Sequence, residues 1–240
     1  MFASEAEHLK DKKYVYQTKD GTKYLFTRTD VMRNEIFRYG NILVCEDAKD
    51  YMKYFTPNTT VLDIGAHFGG FSIWSARNFP SISIHSWEPQ KRLFLELCAN
   101  IALNDLEDRI FPYDKACGEY ESIGWYLATD YKTDVNPGVI NVCIAPPDQN
   151  LHKPTKIETI DKKNLNDISV MKIDVEGMEL SVLRGAEQTI KRCMPLIFME
   201  SWENNSARPM AIQQLRSMGY TNIIEIGDEL IAVPEKPYGA

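Results

Sequence analysis

No apolar run in this chain reaches the ~18–20 residues that a membrane-crossing helix requires, so the sequence offers no helical span. Its opening stretch lacks a basic segment and an apolar centre and carries Glu5 and Glu7, and does not read as a secretory signal. Paired cysteine motifs are missing as well. Cys45, Cys98, Cys117, Cys143 and Cys193 are odd in number and scattered, which argues against a disulfide framework and a zinc site. They read as small core hydrophobes in a reducing, cytoplasmic compartment. Repeats and low-complexity tracts are absent, and the mixed composition excludes a fibre, a coiled-coil rod and a disordered tail. Positive charge is in short supply. Lys plus Arg number 27 against 34 Asp plus Glu, a net charge of −7, which is a poor footing for broad binding to nucleic acid or an anionic membrane.

What is present is one domain's worth of chain, 240 residues, with a short appendage. Tyr14-Val15-Tyr16 and Tyr24-Leu25-Phe26 flank an Asp20-Gly21 pair, which predicts a hairpin. Asp30 is placed to cap a helix from Val31, and a second helix is expected over residues 47–55, stopping before Thr56-Pro57. Thr60-Val61-Leu62-Asp63-Ile64-Gly65 then predicts a buried strand that stops at a glycine loop. Apolar residues over 71–79, and at Leu93, Phe94, Leu97 and Ile101, predict two helices. Residues 81–88 and, more weakly, 109–113 predict two further strands. Such alternation implies a parallel sheet built through right-handed crossovers.

The alternation lapses over residues 118–156. Gly124-Trp125-Tyr126-Leu127 and Val139-Ile140-Asn141-Val142 suggest short strands around Asn136-Pro137-Gly138, and Pro146, Pro147 and Pro154 stiffen the chain. This segment reads as a variable inserted loop or hairpin near the substrate side. A strand over 168–175, a helix over 178–192 and a strand over 196–200 follow. A helix ending at Gly219 and a closing antiparallel hairpin around Gly227-Asp228 complete the chain. The expected organisation is residues 1–57 as a hairpin and helices packed on a core domain of residues 58–240.

Three strand ends carry the chemistry. In Asp63-Ile64-Gly65-Ala66-His67-Phe68-Gly69-Gly70, glycines let backbone approach a ligand and the acid can accept a hydrogen bond. His67 stands where a dinucleotide fingerprint needs its second glycine, which favours a nucleoside-type ligand over a pyrophosphate. Glu88 ends the second strand about 20–25 residues on, where an acid meets ribose hydroxyls in doubly wound folds. Met171-Lys172-Ile173-Asp174-Val175-Glu176-Gly177 crowds charge at the end of a central strand, which requires a ligand or a local ion pair. Glu200 ends the next strand and points to the same rim, so Asp174, Glu176 and Glu200 form a candidate acidic cluster.

Several segments together resemble the FkbM-type methyltransferases, class I enzymes that use S-adenosylmethionine. They are residues 60–70, Trp87-Glu88-Pro89, Asn100 and Asn104, residues 171–177, Leu183-Arg184-Gly185-Ala186, residues 195–200 and residues 215–220. The likeness spans roughly residues 58–234, with His67 standing where the family usually has asparagine. It implies a Rossmann-like α/β fold whose seven-strand, mostly parallel sheet has its last strand antiparallel. It implies methyl transfer, most often to a hydroxyl of a sugar or natural product. By resemblance, Asp63, Gly65, Ala66, His67 and Gly69 form the S-adenosylmethionine loop, Glu88 with Pro89 holds the ribose, and Asp114 and Lys115 lie near the adenine.

The sulfonium activates the methyl group, so the protein supplies alignment and electrostatics. A sugar hydroxyl also needs a general base, worth ~10²–10⁴-fold. Asp174 is the first choice, Glu176 and Glu200 follow, and His85 and His152 are outsiders. The three carboxylates would also serve as Mg²⁺ ligands, a reading permitted but not favoured. Trp202 and Trp125 are the candidate contacts to a small-molecule or glycan acceptor; Trp125, Tyr126 and Tyr131 could stack on a sugar face, with hairpin packing an equal account of all three. The alternatives are an NAD-type oxidoreductase on the same sheet and a catalytically silent cofactor-binding module. Nothing in the sequence sets an oligomeric state.

Overall fold

The computed structural model describes residues 14–26, 51–128, 140–146 and 148–239. The helix expected from Val31, Tyr131 and the Asn136-Pro137-Gly138 turn lie outside them. The described end of the helix expected over 47–55 is a 3₁₀ turn, Met52–Tyr54.

Strands β1 (Tyr14–Gln17) and β2 (Lys23–Phe26) pair antiparallel across the Asp20-Gly21 turn. The main sheet is built from β3 (Thr60–Ile64), β4 (Ser83–Trp87), β5 (Ile110–Tyr113), β10 (Ile168–Ile173), β11 (Leu196–Glu200), β12 (Asn222–Ile226) and β13 (Glu229–Val233). Among the described residues its order is β12-β13-β11-β10-β3-β4-β5. The five central and edge strands β11, β10, β3, β4 and β5 run parallel, and β13, the last in the chain, is antiparallel to both its neighbours. Helices are the physical reason for the parallel core. α1 (Gly70–Asn78) and α2 (Lys91–Leu103) lie on one face, and α3 (Glu179–Gly185), α4 (Glu187–Cys193) and α5 (Arg208–Ser217) on the other. Successive residues of β3 feed opposite cores. Val61 joins Ile73, Leu97 and Ile101, while Leu62 and Ile64 join Val182, Ile190 and Leu215. Strands buried on both faces read as continuous apolar runs, which is how they were visible in the sequence.

Two expectations are corrected. Residues 178–192 form two seven-residue helices rather than one. Asp161 interrupts them by accepting from the Gln188 and Thr189 amides at 3.1 and 2.8 Å, capping α4 from outside. Gly185 adds a second reason, since a Cβ there would lie 1.9 Å from the Gly118 carbonyl oxygen. The helix end is thus shaped to receive the chain that leaves the main sheet.

The second correction concerns the insertion, which is more than a hairpin. β6 (Ala116–Cys117), β7 (Ser122–Leu127), β8 (Val142–Cys143) and β9 (His152–Glu158) form a four-stranded sheet ordered β6-β9-β7-β8. Its boundary at residue 156 therefore falls inside a strand. Pro154 hid β9 in the sequence. It pairs opposite Trp125, whereas β6 covers only Ile157 and Glu158, so Pro154 lies where that side of the strand is an open edge.

Candidate cofactor and active site

β3 lies between β10 and β4, so three strand ends share one rim, the side of an open α/β sheet where ligands bind. Gly65 has φ 84°. A Cβ there would lie 1.7 Å from the Asp174 carbonyl oxygen, so only glycine lets the ends of β3 and β10 approach this closely. The Gly65 and Ala66 amides donate to the Trp87 carbonyl at 2.9 and 2.8 Å, which ties the loop to β4. His67 has φ 53°. Histidine tolerates this left-handed region better than most side chains, so His67 can hold the turn. The Gly69 amide donates back to the Ala66 carbonyl at 2.8 Å and closes the loop onto α1.

Glu88 follows β4 and is almost fully buried. Its Oε2 accepts from the His67 amide at 2.9 Å and its Oε1 from the Gln90 amide at 2.8 Å. Pro89, half-buried between them, shapes this turn. Burial pushes the Glu88 carboxyl up to about 7 despite the opposing pull of His67 and these donors. Each carboxylate oxygen can take a second donor, so Glu88 retains capacity for a vicinal diol.

Asp63 sits beneath the loop with no exposed surface. Its Oδ2 accepts from Ser72 of α1 at 2.5 Å, Ser72 shares a 2.7 Å hydrogen bond with Ser86 of β4, and its Oδ1 faces Lys172 at 3.9 Å. Asp63 therefore anchors the loop from behind. Burial holds its carboxyl above the ordinary range.

The acidic rim surrounds Lys172. Its ammonium lies 2.8 Å from Asp174 Oδ2, and its side chain is only 21% exposed, so the pair is largely shielded from water. Burial disfavours the Asp174 carboxylate, but Lys172 and a hydrogen bond from Glu200 outweigh it and leave the pKa below the ordinary range. Glu200 responds in the opposite sense. Burial and the Asp174 charge push it up to about 8, so near neutrality it keeps a proton that it donates to Asp174. Glu176 is raised to about 7, first by burial and then by Asp174. Its φ of 54°, followed by Gly177 at 106°, turns the chain sharply back over the strand end. Ligand atoms of Asp174, Glu176 and Glu200 lie within 4.8 Å of one another. Glu229, paired with Glu200 across β11 and β13, completes the ring.

The remaining candidate residues are spread around this centre. Asp114 and Lys115 follow β5. Asp114 forms an exposed ion pair with Lys91 at 3.7 Å, and Lys115 meets Glu158 at 2.6 Å. Trp202 is 46% exposed and follows Glu200 by two residues. Trp125 is half-buried in β7. Its neighbour Tyr126 is buried, with its hydroxyl accepting from the Lys91 amide at 3.1 Å, which makes Tyr126 a packing residue at the start of α2. His85 stacks on Tyr113 and Trp87 in mid-strand, held neutral by burial and by Lys163, with its pKa lowered to about 4. His152 opens β9 in the second sheet.

Three contributors were not visible in the sequence. Glu158 accepts from the Trp87 indole at 2.7 Å while meeting Lys115 and Lys163 at 2.6 and 2.9 Å, so one carboxylate joins the second sheet to the end of β4. Ser72 supports Asp63; its place in the first turns of the helix after the loop was the available signal. Arg208, buried at the start of α5, donates to the Ser201 carbonyl and fixes the chain after Glu200.

A glycine loop after the first core strand, a buried acid after the second and an antiparallel final strand define the Rossmann-like fold of class I methyltransferases. The comparisons with known proteins agree. The model of the Methyltransferase FkbM domain matches residues 63–221. The chain belongs to the FkbM methyltransferase family. It is 27% identical over 198 residues to Methyltransferase sdnD of Sordaria araneosa, covering 68% of this chain and 74% of that one. It is 22% identical over 192 residues to Methyltransferase 1 of Beauveria bassiana (strain ARSEF 2860), covering 72% and 77%. The crystal structure of Methyltransferase FkbM from Methylobacillus flagellatus KT shares the fold at a TM-score of 0.51 and 16% identity. That match covers 82% of this chain and about half, 52%, of the other.

Proposed function

We propose that this chain transfers a methyl group from S-adenosylmethionine to a hydroxyl oxygen of a small molecule, a sugar or natural product. The observation that carries the reading is the adjacency of the two halves of the site: the Asp174 carbonyl lies against Gly65, while a carboxylate oxygen of Asp174 lies within 4.8 Å of those of Glu176 and Glu200. The cofactor, when bound, supplies an activated methyl group on a positively charged sulfur. A carboxylate-lined rim suits that charge, and Glu88 suits the ribose diol, so the residues present fit the group.

The chain's own residues then divide the work. Glu88 and the loop amides orient the nucleoside. Lys172 keeps Asp174 anionic. Burial first, and then the Asp174 charge, raise Glu200 and Glu176 toward neutrality, where a general base is most effective. A base must be deprotonated, so Glu176 near neutrality and Glu200 as the pH approaches 8 are better matched as the proton acceptor than Asp174, which serves as the charge that tunes them. Trp202 offers an exposed ring face for the acceptor. Mg²⁺ is not required in this scheme, because Lys172 already brings positive charge to the cluster.

The four described cysteines, Cys98, Cys117, Cys143 and Cys193, are free thiols. No helix among the described residues is long and apolar enough to cross a membrane.

The test is calorimetry with S-adenosylmethionine and its demethylated product, followed by a screen of hydroxylated small molecules and glycans with methyl-labelled cofactor. Micromolar-range binding and label transfer to oxygen are expected. A folded protein that binds neither cofactor form would end this reading, and transfer to nitrogen or carbon would correct the acceptor. Activity abolished by chelator and restored by Mg²⁺ would replace the lysine-compensated site with a metal-assisted one.

A further inference from the structure

Asn100 and Asn104 lie one turn apart at the end of α2, both buried, and neither touches the acidic rim. They recognise β2 as another strand would. Asn104 Oδ1 accepts from the Lys23 amide at 2.9 Å and its Nδ2 donates to the Lys23 carbonyl at 2.7 Å. Asn100 Oδ1 accepts from the Leu25 amide at 2.5 Å and its Nδ2 donates to the Leu25 carbonyl at 2.9 Å. The carboxamide reproduces the donor and acceptor of a peptide group. The spacing fits too: four helical residues rise about 6.0 Å, and two strand residues about 6.6 Å. Pairs at i and i+4 on the helix therefore meet alternate strand residues along the free edge of the hairpin.

Asn100 makes one more bond. Its Nδ2 also donates to the Phe68 carbonyl at 2.9 Å, and Phe68 follows His67 in the glycine loop. The Tyr24 ring of β2 meets the Phe68 ring edge-on at 6.0 Å, and both are buried. The hairpin thus reaches the loop twice, through one amide and one ring. It lies outside the residues that match the family, which begin at residue 63.

We propose that the N-terminal hairpin positions the cofactor loop, with Asn100 as the positioning residue that joins Leu25 to Phe68. The inference rests on reading residues 65–69 as the cofactor loop. Without the hairpin, Asn100 loses the strand that orients its amide, and the loop that places the His67 amide on Glu88 is held by one support fewer.

The test uses the full chain and two variants. Leu25→Pro removes one donor to Asn100 and leaves the main sheet untouched, while Asn100→Asp keeps the size but loses both donated bonds. Amide exchange is read by mass spectrometry without cofactor, and affinity for the demethylated cofactor by calorimetry. In both variants, peptides spanning residues 65–69 should exchange about five- to tenfold faster, with a similar loss of affinity, the scale of one hydrogen bond. Peptides of β10 and β11 should be unchanged. Unchanged loop exchange in Leu25→Pro overturns the proposal, as does faster exchange across β10 as well, which would make the hairpin a general stabiliser. If Asn100→Asp does not fold, Leu25→Pro still decides. If the wild-type protein binds no cofactor, the proposed function fails while the exchange result still judges the brace.

Discussion

The two sides of the rim hold their charges differently. At the end of β4, Glu88 is held by backbone amides, one on each oxygen, and Asp63 behind it by a serine. At the ends of β10 and β11 the carboxylates are held mainly by one another and by Lys172. Backbone donors are fixed in place and do not titrate, so the side proposed to hold the cofactor is preorganised. Charges that set one another's pKa respond to pH and to ligands, so the acceptor side is chemically adjustable. Under the proposed function, the contrast assigns binding to one side and proton handling to the other.

Gly65→Ala should erase the contrast altogether. The new Cβ would overlap the Asp174 carbonyl and strain a left-handed backbone, driving the two halves apart. A loss of more than about 3 kcal/mol in stability is expected, with no measurable cofactor binding. Urea unfolding and calorimetry check it, and a variant of near-normal stability would show that the approach of the two strand ends is not a constraint.

Lys172→Met should damage one side first. It leaves Asp63 and Asp174 without their cation, at about 3 kcal/mol for a largely buried pair. The stranded carboxylates cost most when ionised, so the deficit should shrink as pH falls. An equal deficit at pH 4.5 and pH 8 would contradict this account.

Glu200→Gln should separate chemistry from binding. Turnover is expected to drop about 100-fold while cofactor affinity changes little. Its folded-state pKa, raised from 4.5 to about 8, also has a stability consequence. The unfolded chain releases this proton first, so stability falls as pH rises from about 4.5 to 8. Glu176 and Glu88, at about 7, add to the same slope in its lower part. Glu200→Gln should flatten the upper part, gaining about 1 kcal/mol over wild type at pH 8 after discounting for partial exposure. Denaturation series at several pH values measure it, and an unaltered slope would show that Glu200 does not hold the proton.

Glu88→Ala is the smallest of these perturbations and the cleanest on the binding side. Cofactor affinity should weaken by about 1.5–3 kcal/mol, with the pH dependence of turnover unchanged. A shifted pH profile instead would mean that the two sides are electrostatically joined.

Much of this was legible in the chain itself. Strands buried on both faces announce themselves as apolar runs, and the glycine loop, Glu88, Asp174, Glu176 and Glu200 stood at the strand ends where chemistry belongs. What stayed hidden depends on partners distant in sequence. β9 was obscured by Pro154, which is acceptable only because of where β6 stops. The break between α3 and α4 comes from Asp161 and Gly118, outside the helical segment.

The sequence by itself determined the fold class and the roster of acids, because periodicity and strand-end position are local properties. Only the tertiary structure decided the surroundings in which each acid is held. Asp63 became an anchor, Asp174 a lysine-held anion and Glu200 a proton holder through differences in burial and in the nearest charge. A pKa is a property of surroundings, and those surroundings exist only once β3, β4, β10 and β11 lie side by side.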